Sequence, residues 1–183
     1  MRNATTIPNY LHVFSSKLRK QQGLALAHLN VRSLLPKMEE IRILLSITKL
    51  DIFTVSETWL DSSVDDSEVQ IAGYQCLRAD RNRHGGGVAF YIKNDVAFTH
   101  RVDMNHPDME CIWVEVKLKN PTLICCLYRP PSAGDTYYNA LLDGLEKAVD
   151  EDKHIVILGD FNINYALDDK NDSHPIRLLE DMF

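Results

Sequence analysis

The stretch of sequence that decides the fold is His154-Ile155-Val156-Ile157-Leu158-Gly159-Asp160-Phe161-Asn162. Its β-branched and leucine residues predict a strand that ends at Asp160. In extended backbone the side chains of Asp160 and Asn162 point to the same face, so a carboxylate and an amide are presented together at the carboxyl end of the strand. This pair suits a phosphate and its metal ion. The alternative is that Asp160 and Asn162 simply open a turn, as these residue types often do.

Upstream, two further strands are predicted on either side of a helix. Residues 24–29 form a short apolar run that stops at Asn30, and residues 51–57 form a second run that ends at the acidic Glu57. Between them, Pro36 suits a first helical turn, and the apolar residues that follow recur at helical spacing. The order strand, helix, strand predicts a crossover unit.

From Gly73 onward the pattern changes to strands separated by turns. Within residues 111–118, one face is entirely apolar and the alternate positions include charged residues, a pattern that predicts a half-buried strand. Asn120-Pro121 then predicts a hairpin turn. The other predicted pieces are strands at 74–77, 87–92, 96–99 and 122–128, a helix at 136–149 and a last amphipathic segment at 175–182. This mixture of crossover helices and hairpins predicts an α/β layered sandwich built on mixed sheets.

Length and composition indicate one compact domain. The chain has 183 residues and 45% hydrophobic content, which suits a single core. No apolar run approaches the roughly 20 residues of a membrane span, and the N-terminus lacks the features of a signal peptide. We therefore expect a soluble, intracellular monomer with no membrane contact. Residues 1–22 show no clear period and are treated as a low-information extension, with the domain at 23–183.

The four cysteines show no C-x-x-C spacing, and two of them lie inside an apolar run. This arrangement favours free buried thiols over a zinc site or a disulfide framework.

The formal net charge of −6 argues mildly against nucleic-acid binding by bulk electrostatics. It does not rule out a nuclease, because carboxylates gathered around a divalent cation add negative charge while the bound ion attracts phosphate.

Four predicted strands each end in a polar residue that can bind a metal ion or a phosphate: Asn30, Glu57, Tyr128 and the pair Asp160/Asn162. Ligands of layered α/β proteins gather at the carboxyl ends of strands, so these side chains are expected to share a pocket. For each residue alone the alternative is structural, as a turn residue, a surface glutamate or a packed tyrosine.

Basic residues near these strand ends are candidates for phosphate contact. Arg129 follows Tyr128 and offers a planar fork for phosphate. The loop at 78–84 contains Arg78 and Arg81 and precedes three consecutive glycines. It suits a nucleic-acid backbone, and a solvated hairpin loop is the alternative.

Five motifs in order resemble the endonuclease domain of non-LTR retrotransposons, which belongs to the endonuclease/exonuclease/phosphatase superfamily. They are L-N-V-R-S at 29–33, S-E-T-W-L at 56–60, R-A-D-R with G-G-G-V-A-F-Y at 78–91, L-Y-R-P-P at 127–131 and G-D-F-N at 159–162. The resemblance covers residues from about 24 to the end of the chain. It implies a four-layer α/β sandwich with two packed mixed β-sheets, the DNase I-like fold.

The resemblance also implies a role for each matching residue. Glu57 would be a direct ligand of Mg²⁺ (or Mn²⁺), with Asn30 and Asp160 at the same metal site. Tyr128 would contact the scissile phosphate, with Arg129 as a weaker candidate beside it, and Asp160 would orient or deprotonate the attacking water. Asn162 would hold a phosphate oxygen. Arg78 and Arg81 complete the set of candidate DNA-binding residues.

The implied reaction is hydrolysis of a DNA phosphodiester that leaves a 3′-hydroxyl able to prime reverse transcription. A reverse transcriptase domain encoded downstream is the implied partner, and the nucleus is the implied location when genomic DNA is cut.

One departure from the family pattern stands out. The last motif of the family, an Asp-His pair on a late strand, should follow G-D-F-N by several dozen residues, yet this sequence ends at Phe183. Asp172-Ser173-His174 does not substitute for it, because the residue order is wrong and Pro175 follows at once. We therefore expect the domain to lack its final strand or strands.

Three functions remain open on the sequence alone. The first is a Mg²⁺-dependent DNA endonuclease, the second is a catalytically inactive truncated remnant, and the third is a phosphatase of soluble phosphorylated substrates. Nicking of DNA that depends on Asp160 would distinguish the first from the other two.

Overall fold

A computed structural model describes residues 23–162 of the chain. The amphipathic segment predicted at 175–182, the extension at 1–22 and the sequence Asp172-Ser173-His174 lie outside the described residues. The strands are β1 (Leu26–Asn30), β2 (Ile52–Ser56), β3 (Tyr74–Ala79), β4 (Val88–Lys93), β5 (Phe98–His100), β6 (Glu110–Val116), β7 (Thr122–Tyr128) and β8 (His154–Asp160). The α-helices are α1 (Met38–Thr48), α2 (Asp66–Val69) and α3 (Asp135–Asp150), and short 3₁₀ turns lie at Leu35–Lys37 and Val102–Met104.

The described strands form two four-stranded mixed sheets. The first has the order β1-β2-β4-β3 and the second the order β5-β6-β7-β8. Strands β1 and β2 are parallel and joined through α1, as the crossover prediction requires, and β7 and β8 are parallel and joined through α3. The remaining pairs are antiparallel.

The two sheets pack face to face, and one helix covers the outer face of each. The intersheet core joins Ile52 and Phe90 of the first sheet to Val114 and Ile124 of the second. On the outer faces, α1 packs on the first sheet and α3 packs on the second. The order helix, sheet, sheet, helix confirms the predicted four-layer α/β sandwich.

Strand β6 is more deeply buried than its alternating sequence predicts. Trp113 lies on the face expected to meet solvent, yet it is only 1% exposed because α3 covers that face. The alternation is visible only toward the end of the strand, where Glu115 is half-buried. The prediction of a half-buried strand was therefore wrong for most of β6, and Leu118 lies beyond its end.

Helix α2 was not predicted, although its start has a recognisable signal. The Asp65 side chain accepts a hydrogen bond from the Ser67 backbone N–H, and the Glu68 side chain accepts one from the Asp65 backbone N–H. This capping box stabilises the first turn of the helix, so the D-x-x-E spacing could have located it.

All four cysteines are free, as expected, and three of them are buried. Within residues 23–162, the structure contains no helix that is both long enough and apolar enough to cross a membrane.

Candidate active site

The two sheets are in contact at the carboxyl ends of β1 and β8. The Asn30 side-chain amide donates a hydrogen bond of 2.7 Å to the Asp160 carboxylate. A carboxylate only accepts hydrogen bonds, so this contact orients the amide and leaves the Asn30 carbonyl oxygen available. That oxygen accepts a hydrogen bond from the backbone N–H of Arg32. The predicted meeting of Asn30 and Asp160 is therefore present.

Glu57 follows β2 beside the Asn30 strand end, because Ser56 pairs with Asn30 in the parallel register. Its backbone has a φ of 58°, in the left-handed region. The Glu57 carboxylate accepts a hydrogen bond of 2.5 Å from the Trp59 indole N–H. Glu57 itself is half-buried. Trp59 was not singled out from the sequence, although it lies within the S-E-T-W-L motif.

Tyr128 ends β7 directly opposite Asp160 in the parallel register. Its ring belongs to the intersheet core, so the phenol extends from the second sheet toward the first. Burial raises the pKa of Tyr128 well above its ordinary value, and hydrogen bonding to Glu57 raises it further. The phenol is therefore a neutral hydrogen-bond donor at physiological pH, next to the Glu57 carboxylate.

Asn162 and Arg129 hold each other in place. The Asn162 side-chain amide donates to the Arg129 backbone carbonyl at 2.7 Å, and the Arg129 guanidinium donates to the Asn162 carbonyl at 3.1 Å. Asn162 also donates its backbone N–H to the Asp160 carboxylate. Arg129 is only 9% exposed, and its other bonds reach the carbonyls of Phe161 and Ala133. This placement favours a positioning role for Arg129 over direct contact with a substrate.

The glycine-rich loop before β4 comprises Gly85, Gly86 and Gly87. Hydrogen bonds to Arg81 and Glu110 hold it in place. The two carboxylate oxygens of Glu110 accept from the Arg81 guanidinium at 2.8 Å and from the Gly87 backbone N–H at 2.6 Å. The Arg81 guanidinium carbon lies 5.7 Å from the centroid of the Tyr128 ring, within the range of a cation–π contact. Gly86 has a φ of 67°, in the left-handed region that favours glycine, and a Cβ there would lie 2.3 Å from the Glu110 carboxylate. Glu110 was missed in the sequence because it only begins an alternating strand.

The guanidinium of Arg78 makes its hydrogen bonds within the chain. It donates to the carboxylates of Asp80 and Asp66 and to the carbonyls of Asp61 and Val64, and the Arg78 side chain is 14% exposed. It ties the loop after β2 to β3. Of the three arginines predicted to contact DNA, Arg78, Arg81 and Arg129, the geometry favours Arg81 for contact with a substrate.

His28 is a second residue near the site that the sequence did not reveal. It lies on β1 with its ring between the sheets, 2.9 Å from the Thr54 hydroxyl and 3.3 Å from the Ser56 hydroxyl. Burial lowers the pKa of His28, and the negative charge of Asp160 opposes that shift. The imidazole therefore contributes a neutral polar link between β1 and β2 beneath the strand ends.

The residues at this edge fit a hard divalent cation. Among residues 23–162 there is no group of three or more His, Cys, Asp or Glu side chains that could hold a metal ion. Mg²⁺, however, is usually held by one or two carboxylates and keeps waters or phosphate oxygens as its other ligands. The carboxylates of Glu57 and Asp160 and the amide oxygen of Asn30 are oxygen donors of that kind.

Comparison with known proteins places the chain in a family. Residues 27–181 match the Endonuclease/Exonuclease/phosphatase family. The chain therefore belongs to the endonuclease/exonuclease/phosphatase family, which confirms the resemblance drawn from the motifs. This membership makes phosphoester hydrolysis the class of chemistry to which the chain belongs.

Solved structures share the fold at low sequence identity. The endonuclease domain of TRAS1, a telomere-specific non-LTR retrotransposon, is 13% identical with a TM-score of 0.65, and the match covers 87% of this chain and 71% of that one. The 3′-5′ exonuclease NExo from Neisseria meningitidis is 19% identical with a TM-score of 0.63 over 87% and 71% of the two chains.

An AP endonuclease from Archaeoglobus fulgidus is 21% identical with a TM-score of 0.57, and the match covers 77% of this chain and 58% of that enzyme. The chain thus spans less than two thirds of that relative. A search of curated proteins gave no match.

Proposed function

We propose that the chain is a metal-dependent DNA endonuclease domain of the non-LTR retrotransposon type. The observation that carries the proposal is the convergence of Asn30, Glu57, Tyr128 and Asp160 at the carboxyl ends of four strands from two sheets, with the Asn30–Asp160 bond joining the sheets. Convergence of polar groups at strand ends marks the ligand site of layered α/β proteins. Family membership supports the hydrolytic chemistry.

In this proposal Asp160 accepts a proton from the water that attacks the phosphorus. The Asp160 carboxylate is oriented by two donors, the Asn30 amide and the Asn162 backbone N–H. Attack on phosphorus breaks its bond to the 3′-oxygen, and this oxygen takes a proton from solvent. The products are a 3′-hydroxyl and a 5′-phosphate. A carboxylate held by two donors keeps its orientation, as proton transfer requires.

The other polar residues bind the phosphate and the metal ion. Tyr128 donates its phenolic hydrogen to a phosphate oxygen. Asn162 holds another phosphate oxygen with an amide hydrogen, since an amide has two and Arg129 takes one. Glu57, with Asn30 and Asp160, would hold Mg²⁺ (or Mn²⁺), which supplies positive charge against the phosphate when bound.

DNA is the proposed substrate, and Arg81 is its proposed backbone contact. The guanidinium lies beside the Tyr128 ring and is held from behind by Glu110. Arg129 and Arg78 act by positioning the site. The two terminal guanidinium nitrogens of Arg129 donate to backbone carbonyls, and all three guanidinium nitrogens of Arg78 donate within the chain. The 3′-hydroxyl product suits priming of reverse transcription, so the proposed partner is a reverse transcriptase domain of the same element. The domain would act as a monomer, in the nucleus when genomic DNA is cut.

Nicking of a supercoiled plasmid tests the proposal. The purified 183-residue chain is incubated with plasmid in Mg²⁺, in EDTA, and as Asp160→Ala. We expect nicks in Mg²⁺ only and a loss of at least about 100-fold in Asp160→Ala, the lower range for removal of a general base. Asp143→Ala, an exposed position on α3, is the matched control and should nick like the parent.

Three results would contradict the assignment. Equal nicking by Asp160→Ala and the parent would remove Asp160 from the chemistry. Release of inorganic phosphate from inositol phosphates without action on DNA would favour the phosphatase alternative. A folded parent with no nicking above the Asp160→Ala background would identify an inactive remnant.

A further inference from the structure

The indole of Trp59 is hydrogen-bonded to the carboxylate of Glu57. The N–H donates to Oε2 at 2.5 Å, and the two residues are only two positions apart. We propose that Trp59 is the positioning residue of the metal site, and that its N–H holds the Glu57 carboxylate in the orientation that binds the divalent cation. This inference rests on the proposed function, because it takes Glu57 as the metal ligand.

The backbone is strained in order to make this contact. Glu57 has a φ of 58° and Trp59 a φ of 55°, and the left-handed region is unfavourable for such bulky residues. Strain of this kind persists only where the surroundings enforce it. The two strained residues are two positions apart and flank one carboxylate. This arrangement indicates that the surrounding structure fixes the direction of the Glu57 side chain.

Hydrogen bonds on both sides enforce the strained conformation. On one side, the carbonyl of Glu57 accepts from the Ser33 N–H at 2.8 Å. On the other side, the Thr58 N–H donates to Gly87 and the Trp59 N–H donates to Gly86, at 3.2 and 3.0 Å. The segment is thus fixed between the turn after β1 and the glycine-rich loop. The indole has little freedom to leave the carboxylate.

The indole hydrogen bond restricts the carboxylate while leaving it able to bind a cation. The indole N–H is a donor only, and it engages one oxygen of Glu57. A carboxylate has about four lone-pair sites, so sites remain for a cation beside the indole N–H and the Tyr128 phenol. A glutamate side chain is flexible, and freezing it is an entropic cost of binding. Because the folded protein already restricts the side chain, less entropy is lost on binding and the cation binds more tightly. Partners of this type change metal affinity by about 10–100-fold when they are removed.

Trp59 suits this role better than an exposed polar side chain. Its ring is half-buried, so the large apolar surface fixes the ring while the polar edge meets the carboxylate. The chain has two tryptophans, and the other, Trp113, is 1% exposed in the core under α3. The fluorescence of each can therefore be read separately in single-tryptophan variants.

The experiment uses Mn²⁺, which accepts the same oxygen ligands and quenches nearby fluorescence through its unpaired electrons. Mn²⁺ binding is measured from the free-ion signal in electron paramagnetic resonance for the full chain, Trp59→Phe, Glu57→Gln and Trp113→Phe. Trp113→Phe is the matched control, since the substitution is the same and Trp113 packs under α3 on the outer face of the second sheet. Cooperative urea unfolding verifies that each variant is folded.

We expect Trp59→Phe to bind Mn²⁺ at least about tenfold more weakly than the parent, and Trp113→Phe to bind it with the parent's affinity. We also expect saturable quenching of Trp59 emission in Trp113→Phe and no quenching of Trp113 emission in Trp59→Phe at the same occupancy.

Equal or tighter Mn²⁺ binding by Trp59→Phe would overturn the positioning role while leaving the metal site intact. Equal binding by Glu57→Gln and the parent, or no binding by the parent, would instead remove the metal site on which the proposed function depends. The two failures are therefore distinguishable. Quenching of Trp113 as strong as that of Trp59 would also overturn the inference, because the ion would then not lie near Glu57.

Discussion

The Arg129 side chain connects two separate pieces of backbone near the site, residues 161–162 and Ala133. It donates to the carbonyls of Asn162, Phe161 and Ala133, and its guanidinium carbon lies 4.8 Å from the centroid of the Tyr138 ring. Arg129 itself is only 9% exposed. A single buried cation thus holds the backbone of a candidate catalytic residue.

Replacement of the Arg129 guanidinium should lower the stability of the folded protein. Arg129→Met keeps much of the volume but removes the hydrogen bonds of a charged group to the carbonyls of Phe161, Asn162 and Ala133, so we expect the free energy of unfolding to fall by about 1.5–3 kcal/mol. Urea unfolding with an unchanged m-value measures the effect. Arg42→Met is the control, since the Arg42 side chain also donates to backbone carbonyls but is 36% exposed, and its loss should be smaller. Equal losses in the two variants would contradict the argument.

Alanine substitutions at two glycines, one in the second sheet and one in the helix that covers it, should change the stability of the protein in opposite directions. At Gly159 in β8, a Cβ would lie 2.1 Å from the Leu127 carbonyl oxygen of β7, and paired backbone cannot move aside. At Gly144 in α3, the nearest atom is the Trp113 ring at 3.9 Å, an ordinary contact.

We therefore expect Gly159→Ala to destabilise the protein by about 3 kcal/mol and Gly144→Ala to stabilise it by about 0.5–1 kcal/mol. Urea midpoints of the two variants and the parent measure both effects. A midpoint of Gly159→Ala at or above that of the parent would show that β7 and β8 do not pair in this register.

An ionic network joins β5 and β6 to the turn between α3 and β8. Arg101 donates to Glu115 at 3.1 Å and also to Glu151, and Lys153 donates to the same two carboxylates at 2.7 and 2.6 Å. Hydrogen bonds from Arg101 first, and then from Lys153, lower the pKa of Glu151 to about 2. The ionised form is thus favoured in the folded chain.

Because the folded pKa is lowered, the stabilisation by Glu151 is present above its ordinary pKa of 4.5 and is lost as the pH falls toward about 2. We expect Glu151→Gln to remove part of the acid-induced fall in the free energy of unfolding. The network borders solvent, so the effect should be about 1 kcal/mol or less. Urea unfolding between these pH values measures it, and identical pH profiles of variant and parent would contradict it.

For the whole molecule, the site lies where the two sheets meet. Asn30 and Glu57 come from the first sheet, and Tyr128 and Asp160 come from the second. A cation bound to both sheets would bind the folded chain and not the unfolded one. With Mg²⁺ at 100 times its Kd, we expect an increase of about 2.7 kcal/mol in stability.

Thermal unfolding in Mg²⁺ and in EDTA measures this increase. It should vanish in Glu57→Gln and persist in Glu146→Gln, an exposed position on α3. An undiminished increase in Glu57→Gln would place the cation elsewhere.

Local sequence was sufficient to predict most of the secondary structure. The bounds of β7 and β8 are those predicted, and α3 extends one residue beyond the prediction at each end. The reason is physical, since apolar periodicity and turn residues act over a few positions. The strand ends that carry Asn30, Glu57, Tyr128 and Asp160 were located for the same reason.

Only the tertiary structure decided which of these residues meet and which arginines remain available to a substrate. The Asn30–Asp160 bond joins positions 130 residues apart, and no local pattern encodes such a contact. The burial of Trp113, the internal hydrogen bonds of Arg78 and Arg129, and the support of Arg81 by Glu110 depend in the same way on packing between distant segments. The Trp59–Glu57 bond is local in sequence, yet its strained backbone is held by the turn after β1 and by the glycine-rich loop.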